Sequence, residues 1–188
     1  MVAALLGACA ATAPAGPWER RLQGDAIVML GEVHDNAQQH RLRLGVLRRA
    51  FAAGWRPAIV MEQFDREHQA DIERARRERP GDAQHVIDLA AAPTVRPGGG
   101  WHWDFYRPFI ALALQYDVPL IAANLSNADT ARIVRDGFAA VFDGPAIVML
   151  GLDRPLASDW KLAQERYIDV GHCRALPPIA WPWLARAQ

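Results

Sequence analysis

The sequence predicts an α/β fold: an open, mainly parallel sheet with helices on both faces, built from βαβ units. Three observations predict it. Short apolar runs at Ala26–Leu30, Arg56–Met61 and Val118–Ala123 have the length and composition of buried strands. Stretches with helical spacing alternate with them, which calls for right-handed crossovers between parallel strands. Each run stops on polar side chains: Glu32 with His34, then Glu62, then Asn124. Parallel strands put all those ends on one edge of the sheet, where α/β proteins bind ligands.

The 188 residues are enough for one domain with a sizeable core. Lys and Arg number 21, as do Asp and Glu, and the Arg residues are spread along the chain. No basic tract exists of the kind nucleic acid demands, so nucleic acid is excluded as a partner. The chain is expected to divide into residues 1–17, a lipoprotein-type signal and tether, and residues 18–188, a single α/β domain. Met1–Ala15 is small and apolar, and Leu6-Gly7-Ala8-Cys9 within it reads as a bacterial lipobox. Cleavage before Cys9 would leave Cys9 carrying a lipid anchor, at the periplasmic face of a membrane in the bacterial cell envelope. The Ala/Thr/Pro-rich run to Pro17 would then be the tether. No Lys or Arg precedes the apolar run, as one usually does in a signal peptide. The run is too short to span a bilayer as a helix. With Cys9 lipidated, Cys173 has no partner for an internal disulfide.

Along the chain, Gly31 is expected to turn the first strand into a helix over Arg41–Phe51, with Leu44, Leu47 and Phe51 on one face. Asp65–Glu78 carries opposite charges at helical spacing and reads as a solvated helix with His68 on its surface. Pro80 and Gly81 end it, and a short helix over Asp82–Ala92 leaves His85 exposed. Pro93–Gly100 is a loop. The aromatic run Trp101–Tyr106 follows. Trp103 and Phe105 are assigned to the core, while His102 and Tyr106 carry atoms able to ligate iron. Aromatics beside a Gly-rich loop can also wall the pocket of a flat ligand. Pro108 fits the first turn of a helix reaching Gln115. A helix over Asp129–Val141 is capped by Ser126 or Asn127. Ala146–Gly151 repeats Ala26–Gly31 letter for letter, but the Glu and His that follow the first copy are absent. The match reads as shared apolar composition, or at most as a structural strand. Helical pattern resumes after Pro155 and gives way to a turn-rich stretch from Ile168 to Pro177.

A Glu and a His two residues apart at a strand end are placed to hold a metal or move a proton. Both also have a purely structural reading. Glu32 can accept backbone N–H groups at a helix start, and His34 can be a satisfied, partly buried ring.

Several segments in order carry a resemblance: Leu30-Gly-Glu-Val-His-Asp-Asn36 with His40, Val60-Met-Glu-Gln-Phe-Asp-Arg66 with Gln69, Asp104-Phe-Tyr-Arg-Pro108 with Ile121-Ala-Ala-Asn-Leu125, and Gly171-His-Cys173 with Leu176-Pro177. Together they resemble the ChaN-like haem-binding uptake proteins of the Tiki/TraB superfamily. The resemblance implies a haem- or iron-binding lipoprotein of haem or iron uptake. Its implied binding residues are His34, His40, Tyr106, Asn124 and His172, and haem iron accepts His or Tyr as an axial ligand. One ligand per subunit on an open edge would favour a homodimer sandwiching haem. Some relatives in the superfamily look like metallopeptidases, and Gly31-x-x-His34 with Glu32 resembles their first metal motif. On that alternative, Glu32 and His34 hold a divalent metal and Glu62 is a ligand or general base of a hydrolase. Family members usually continue through a further strand and a second Gly-x-x-His motif. The sheet of this chain is therefore expected to be incomplete at its C-terminal end.

Overall fold

A computed structural model describes residues 27–91, 100–171 and 174. Cys9, His172, Cys173 and the 1–17 leader lie outside the described residues. The chain forms two compact units, Met1–Asn124 and Leu125–Gln188.

The first unit holds, in order, α1 (Ala37–Ala52), β1 (Ile59–Asp65), a 3-10 turn (Arg66–His68), α2 (Gln69–Glu78), α3 (Ala83–Ala90), α4 (Trp103–Gln115) and β2 (Leu120–Asn124). The mixed α/β class and the parallel pairing are as expected: β1 and β2 run parallel with Ile59 opposite Leu120 and Met61 opposite Ala122. A bulge between Met61 and Asp65 shifts the register so that Asp65 comes opposite Asn124. On the inward face, Met61, Leu120 and Ala122 join Phe51, Phe64, Ile72, Val86 and Ile110 in one core. Val60 and Ile121, a cross-strand pair on the other face, are exposed. Gln69 extends the sheet with its side chain. Its Nε2 donates to the Leu120 carbonyl at 3.1 Å and its Oε1 accepts from Ala122 N at 2.8 Å, as a neighbouring strand would.

Helix ends follow side-chain chemistry. Asn36 Oδ1 accepts from Gln38 N and Gln39 N, each at 3.1 Å, and starts α1. Gly54, at φ +97°, closes it in a conformation that L side chains rarely adopt. Asp82 Oδ1 caps α3 through His85 N at 3.0 Å. The His85 ring is only partly exposed and pairs with Glu78 at 2.9 Å, where full exposure was expected.

Four expectations are corrected. The segment Ile27–Leu30 pairs with no strand among the described residues. It is not buried on both faces, since Ile27 and Met29 are 85% and 89% exposed. Only Leu30 packs against the core. Secondly, Gly31 does not make the turn. Asn36 N donates to the Val33 carbonyl at 2.9 Å, so the chain reverses over Val33–Asn36. Thirdly, Pro108 lies inside α4, which starts at Trp103. An interior proline leaves the carbonyl four residues back without its helical donor. That residue is Asp104, whose exposed position gives the carbonyl access to water.

The fourth correction belongs to the second unit. Ala146–Met149 lies in a helix, α6 (Gly144–Met149), and forms no strand. Asp143 Oδ1 caps it through Ala146 N at 2.8 Å, Pro145 sits in its first turn, and Gly151 follows it at φ +65°. These flanking residues decide the matter, because the repeated hexapeptide itself is neutral. The same unit contains α5 (Asn127–Asp136), capped by Ser126, and α7 (Ser158–Gly171). A 3-10 turn over Phe138–Ala140 replaces the expected end of α5, because Gly137 at φ +82° breaks the helix.

Phe64→Ala tests the placement of the first unit's core. Phe64 is fully buried beside the bulge of β1. The truncation is expected to lower unfolding free energy by about 3–5 kcal/mol, read as a drop in the urea midpoint at constant slope. A loss below about 1 kcal/mol would contradict this packing.

Candidate functional site

The site is built around one carboxylate. Glu32 stands just before the Val33–Asn36 turn, with its side chain only 5% exposed. Burying an unpaired carboxylate costs several kcal/mol, so its partners decide whether the arrangement exists at all. Glu32 Oε1 accepts the Tyr106 hydroxyl and faces His34 Nδ1 at 3.0 Å. Glu32 Oε2 is held by the Arg43 guanidinium and faces His40 Nδ1 at 3.3 Å. Tyr106 and His34 reach Oε1 and the Arg43 guanidinium reaches Oε2, while His40, with its proton on Nε2, packs a bare Nδ1 beside Oε2 without donating to it. Among the described residues no backbone N–H donates to Glu32, so the helix-start reading of this residue does not describe it. That role falls to Asn36, with Gln39 Oε1 accepting from Val33 N at 2.7 Å.

Each partner has a structural reason for its place. His40 and Arg43 lie three residues apart on α1, hence on one face of it. His40, 3% exposed, is stacked on Phe105 with centroids 4.7 Å apart and meets Tyr106 edge-on at 5.0 Å. Its Nε2 sits 3.1 Å from the carbonyl of His34 and must carry the proton to bond it. Arg43 passes over the Phe109 ring, with its guanidinium carbon 5.3 Å from the ring centroid. Tyr106 comes from α4, one turn into that helix.

Charge and burial oppose one another here. Burial lowers the pKa of Arg43 from its ordinary value, and the Tyr106 and Glu62 charges act against that shift. Burial raises the pKa of Tyr106, and the Glu62 carboxylate raises it further. Arg43 and Gln63 pull it back.

His34 differs from the rest in being 61% exposed. An ionised Glu32 can only accept, so the proton of a neutral His34 sits on Nδ1 and Nε2 keeps its lone pair. The Trp101 ring meets His34 edge-on at 4.9 Å and Tyr106 at 5.4 Å. His34, Gly100, Trp101, His102 and Tyr106 line a cleft of about 230 Å³.

The expected residues separate clearly. Glu32, His34, His40 and Tyr106 come together. Glu62 joins them, with one donor atom each from Glu32, His34 and Glu62 within 4.8 Å of the others. His40 offers no nitrogen to an iron in this arrangement, because Nε2 is bound to a carbonyl and Nδ1 faces Glu32. Asn124 is committed elsewhere: its amide donates to Asp65 Oδ1 at 2.7 Å. His172 lies outside the described residues. Two members escaped the sequence reading. Arg43 carried a signal, a cation three residues after His40 and four before the core residue Leu47 on the same helix. Trp101 was read only as one of an aromatic run.

The model of the family described as "Haem-binding uptake, Tiki superfamily, ChaN" matches residues 18–188. Among solved structures, the chain is similar to one titled "Cofacial heme binding to ChaN of Campylobacter jejuni". The TM-score is 0.64 at 16% identity, over 90% of this chain and 64% of that one. This chain thus spans somewhat under two thirds of the length of the structure it matches. No curated protein matches the sequence.

The raised pKa of Tyr106 gives a pH test. Its neutral form is favoured in the folded state, so the stability it contributes is present below the ordinary phenol value of about 10 and is lost as pH rises through the raised value. Alkaline titration of the phenolate absorbance is expected to show a late component that Tyr106→Phe lacks. Identical curves for the two proteins would contradict the burial of this phenol.

Proposed function

Since this chain belongs to the Tiki-superfamily family of ChaN-like haem-binding uptake proteins, we propose that it binds haem in the cleft beside Glu32, as part of haem or iron uptake. The observation that carries the reading is the cleft itself, lined by His34, Trp101 and Tyr106, with His34 Nε2 uncommitted among the described residues. The donor chemistry fits iron in haem. His34 Nε2 has no partner among the described residues, and with the proton on Nδ1 it keeps its lone pair. Tyr106 becomes a ligand once its phenol gives up the proton it now shares with Glu32. Small-molecule pockets usually measure roughly 300–1,000 Å³, so a cleft of about 230 Å³ encloses only part of a haem. The uncovered face then needs a second surface. A second copy of the chain would supply one; the matched structure is titled for its cofacial heme binding.

A divalent metal held by Glu32, His34 and Glu62 is favoured by one observation, the closeness of their donor atoms. The commitment of Glu32 to Arg43, His40, Tyr106 and His34 works against it, since a metal would have to displace those partners and approach the Arg43 cation. The hydrolase reading therefore ranks second. The lipobox-like Leu6–Cys9 adds the proposal that the chain is lipid-anchored in the cell envelope. An intact mass of the mature protein tests it, and an unprocessed N-terminus would remove it.

Haemin titration of the purified chain decides the main proposal. A saturable shift of the Soret band is expected, weakened about tenfold or more by His34→Ala or by Tyr106→Phe, a change of about 1.4 kcal/mol per tenfold. The combined variant should lose the shift. A combined variant that binds like the parent, or a parent that shows no shift, would sink the proposal. Stoichiometric zinc uptake abolished by Glu62→Gln would favour the metal reading instead.

A further inference from the structure

We propose that Arg43 and His40 are positioning residues that fix which ring nitrogen His34 presents to the cleft. The proposal rests on the haem reading only for the identity of the ligand. The positioning itself stands on the geometry of the ligand-free chain.

His34 is held at two points. Its backbone carbonyl takes the Nε2–H of His40 at 3.1 Å. Its ring Nδ1 faces Glu32 Oε1 at 3.0 Å. The second hold depends on the orientation of the Glu32 carboxylate, and that orientation is set at the other oxygen. Oε2 lies against Arg43 and His40, both from one face of α1. A carboxylate clamped at Oε2 has one direction left for Oε1, toward His34 and Tyr106. A metal-ligating histidine is commonly oriented in this way, by a carboxylate on its second nitrogen. Here the carboxylate is in turn oriented from α1. The chain of contacts runs from Arg43 through Glu32 to His34, and Arg43 itself does not line the cleft.

The buried atoms point the same way. Glu32 Oε2, His40 Nδ1, and Arg43 Nε and Nη1 are buried and make no well-aligned hydrogen bond, so they are held together by charge and packing. They meet as a compact ionic cluster that reaches the ring of His34 through Glu32 Oε1 and its backbone through His40 Nε2. Removing Arg43 frees the carboxylate to turn, and His34 Nδ1 loses its fixed acceptor. The ring can then adopt the other tautomer, with the proton on Nε2 and no lone pair for an incoming iron.

Nitrogen-15 NMR of the ligand-free full chain, at a pH well above the ordinary histidine value of about 6.5, reads the His34 tautomer directly. The parent is expected to hold the proton on Nδ1. Arg43→Met is expected to shift His34 toward the Nε2–H form and to weaken haemin binding about 10- to 100-fold, the usual effect of losing an outer-shell partner. Arg43→Lys keeps a cation on Oε2 and should restore most of both. Should Arg43→Met fail to fold, the double variant Glu32→Gln with Arg43→Met removes both buried charges and should show the same tautomer shift. A His34 tautomer unchanged in Arg43→Met or in the double variant overturns the proposal, even if haemin affinity falls. A tautomer shift in a chain that takes up no haemin would uphold the positioning and remove the haem reading alone.

Discussion

The structure of the first unit depends on the burial of the Glu32 carboxylate. A lone ionised group in that position would cost several kcal/mol. The fold surrounds it with a guanidinium, a phenol and two imidazoles drawn from α1, α4 and the turn at Val33–Asn36. The turn leads straight into α1, whereas α4 lies far along the chain, and the three meet at no other polar centre among the described residues that joins them all. The carboxylate therefore ties the turn to both helices, and the same contacts shape the wall of the cleft. Stability and site are one arrangement: breaking any single partner leaves a buried charge short of compensation.

Much of the helical structure was legible because helices announce their ends locally. Asn36, Asp82 and Ser126 each accept a backbone N–H at the start of a helix, and Gly54 and Gly137 close helices with positive φ. Strands carry no comparable signal. Arg56–Met61 and Val118–Ala123 were found by apolar run, and both pair in parallel, shifted by a few residues. Ala26–Leu30 looked the same by composition, yet its described part pairs with nothing there. Its twin at Ala146–Leu150 folds as a helix because Asp143 and Pro145 precede it and Gly151 follows. The shared Ile-Val-Met-Leu-Gly, with two outcomes at Ile27–Gly31 and Ile147–Gly151, shows where the information sits: in the flanking caps and in the tertiary partner, neither of which an apolar run contains.

The site was legible to a similar degree. Glu32, His34 and Tyr106 were chosen for their chemistry and they meet. Glu62 arrives because β1 ends beside them. Asn124 was placed by the same strand-end logic, but the bulge in β1 brings Asp65 opposite it and the amide is spent there. Arg43 was hidden by its own ordinariness, as one arginine of many on a charged helix surface. Its neighbours Leu44 and Leu47 mark the buried face, and a cation next to that stripe needs an anion within reach.

A carboxylate beside a histidine can serve two different chemistries, and the count of lone pairs separates them. A metal ligand must keep an electron pair free for the ion. An orienting group must spend its pairs on the histidine and on whatever holds the carboxylate in place. Glu32 is held at Oε1 by Tyr106 and His34 and at Oε2 by the Arg43 charge, while His34 stays exposed with Nε2 uncommitted among the described residues. The donor that faces the cleft is thus the imidazole, and the carboxylate stands behind it. One nitrogen on one side suits an ion that brings its other ligands with it, as iron in a porphyrin does. A bare dication draws several ligands from the protein, and of the three donors grouped here, from Glu32, His34 and Glu62, the Glu32 carboxylate is already held by Arg43 and Tyr106.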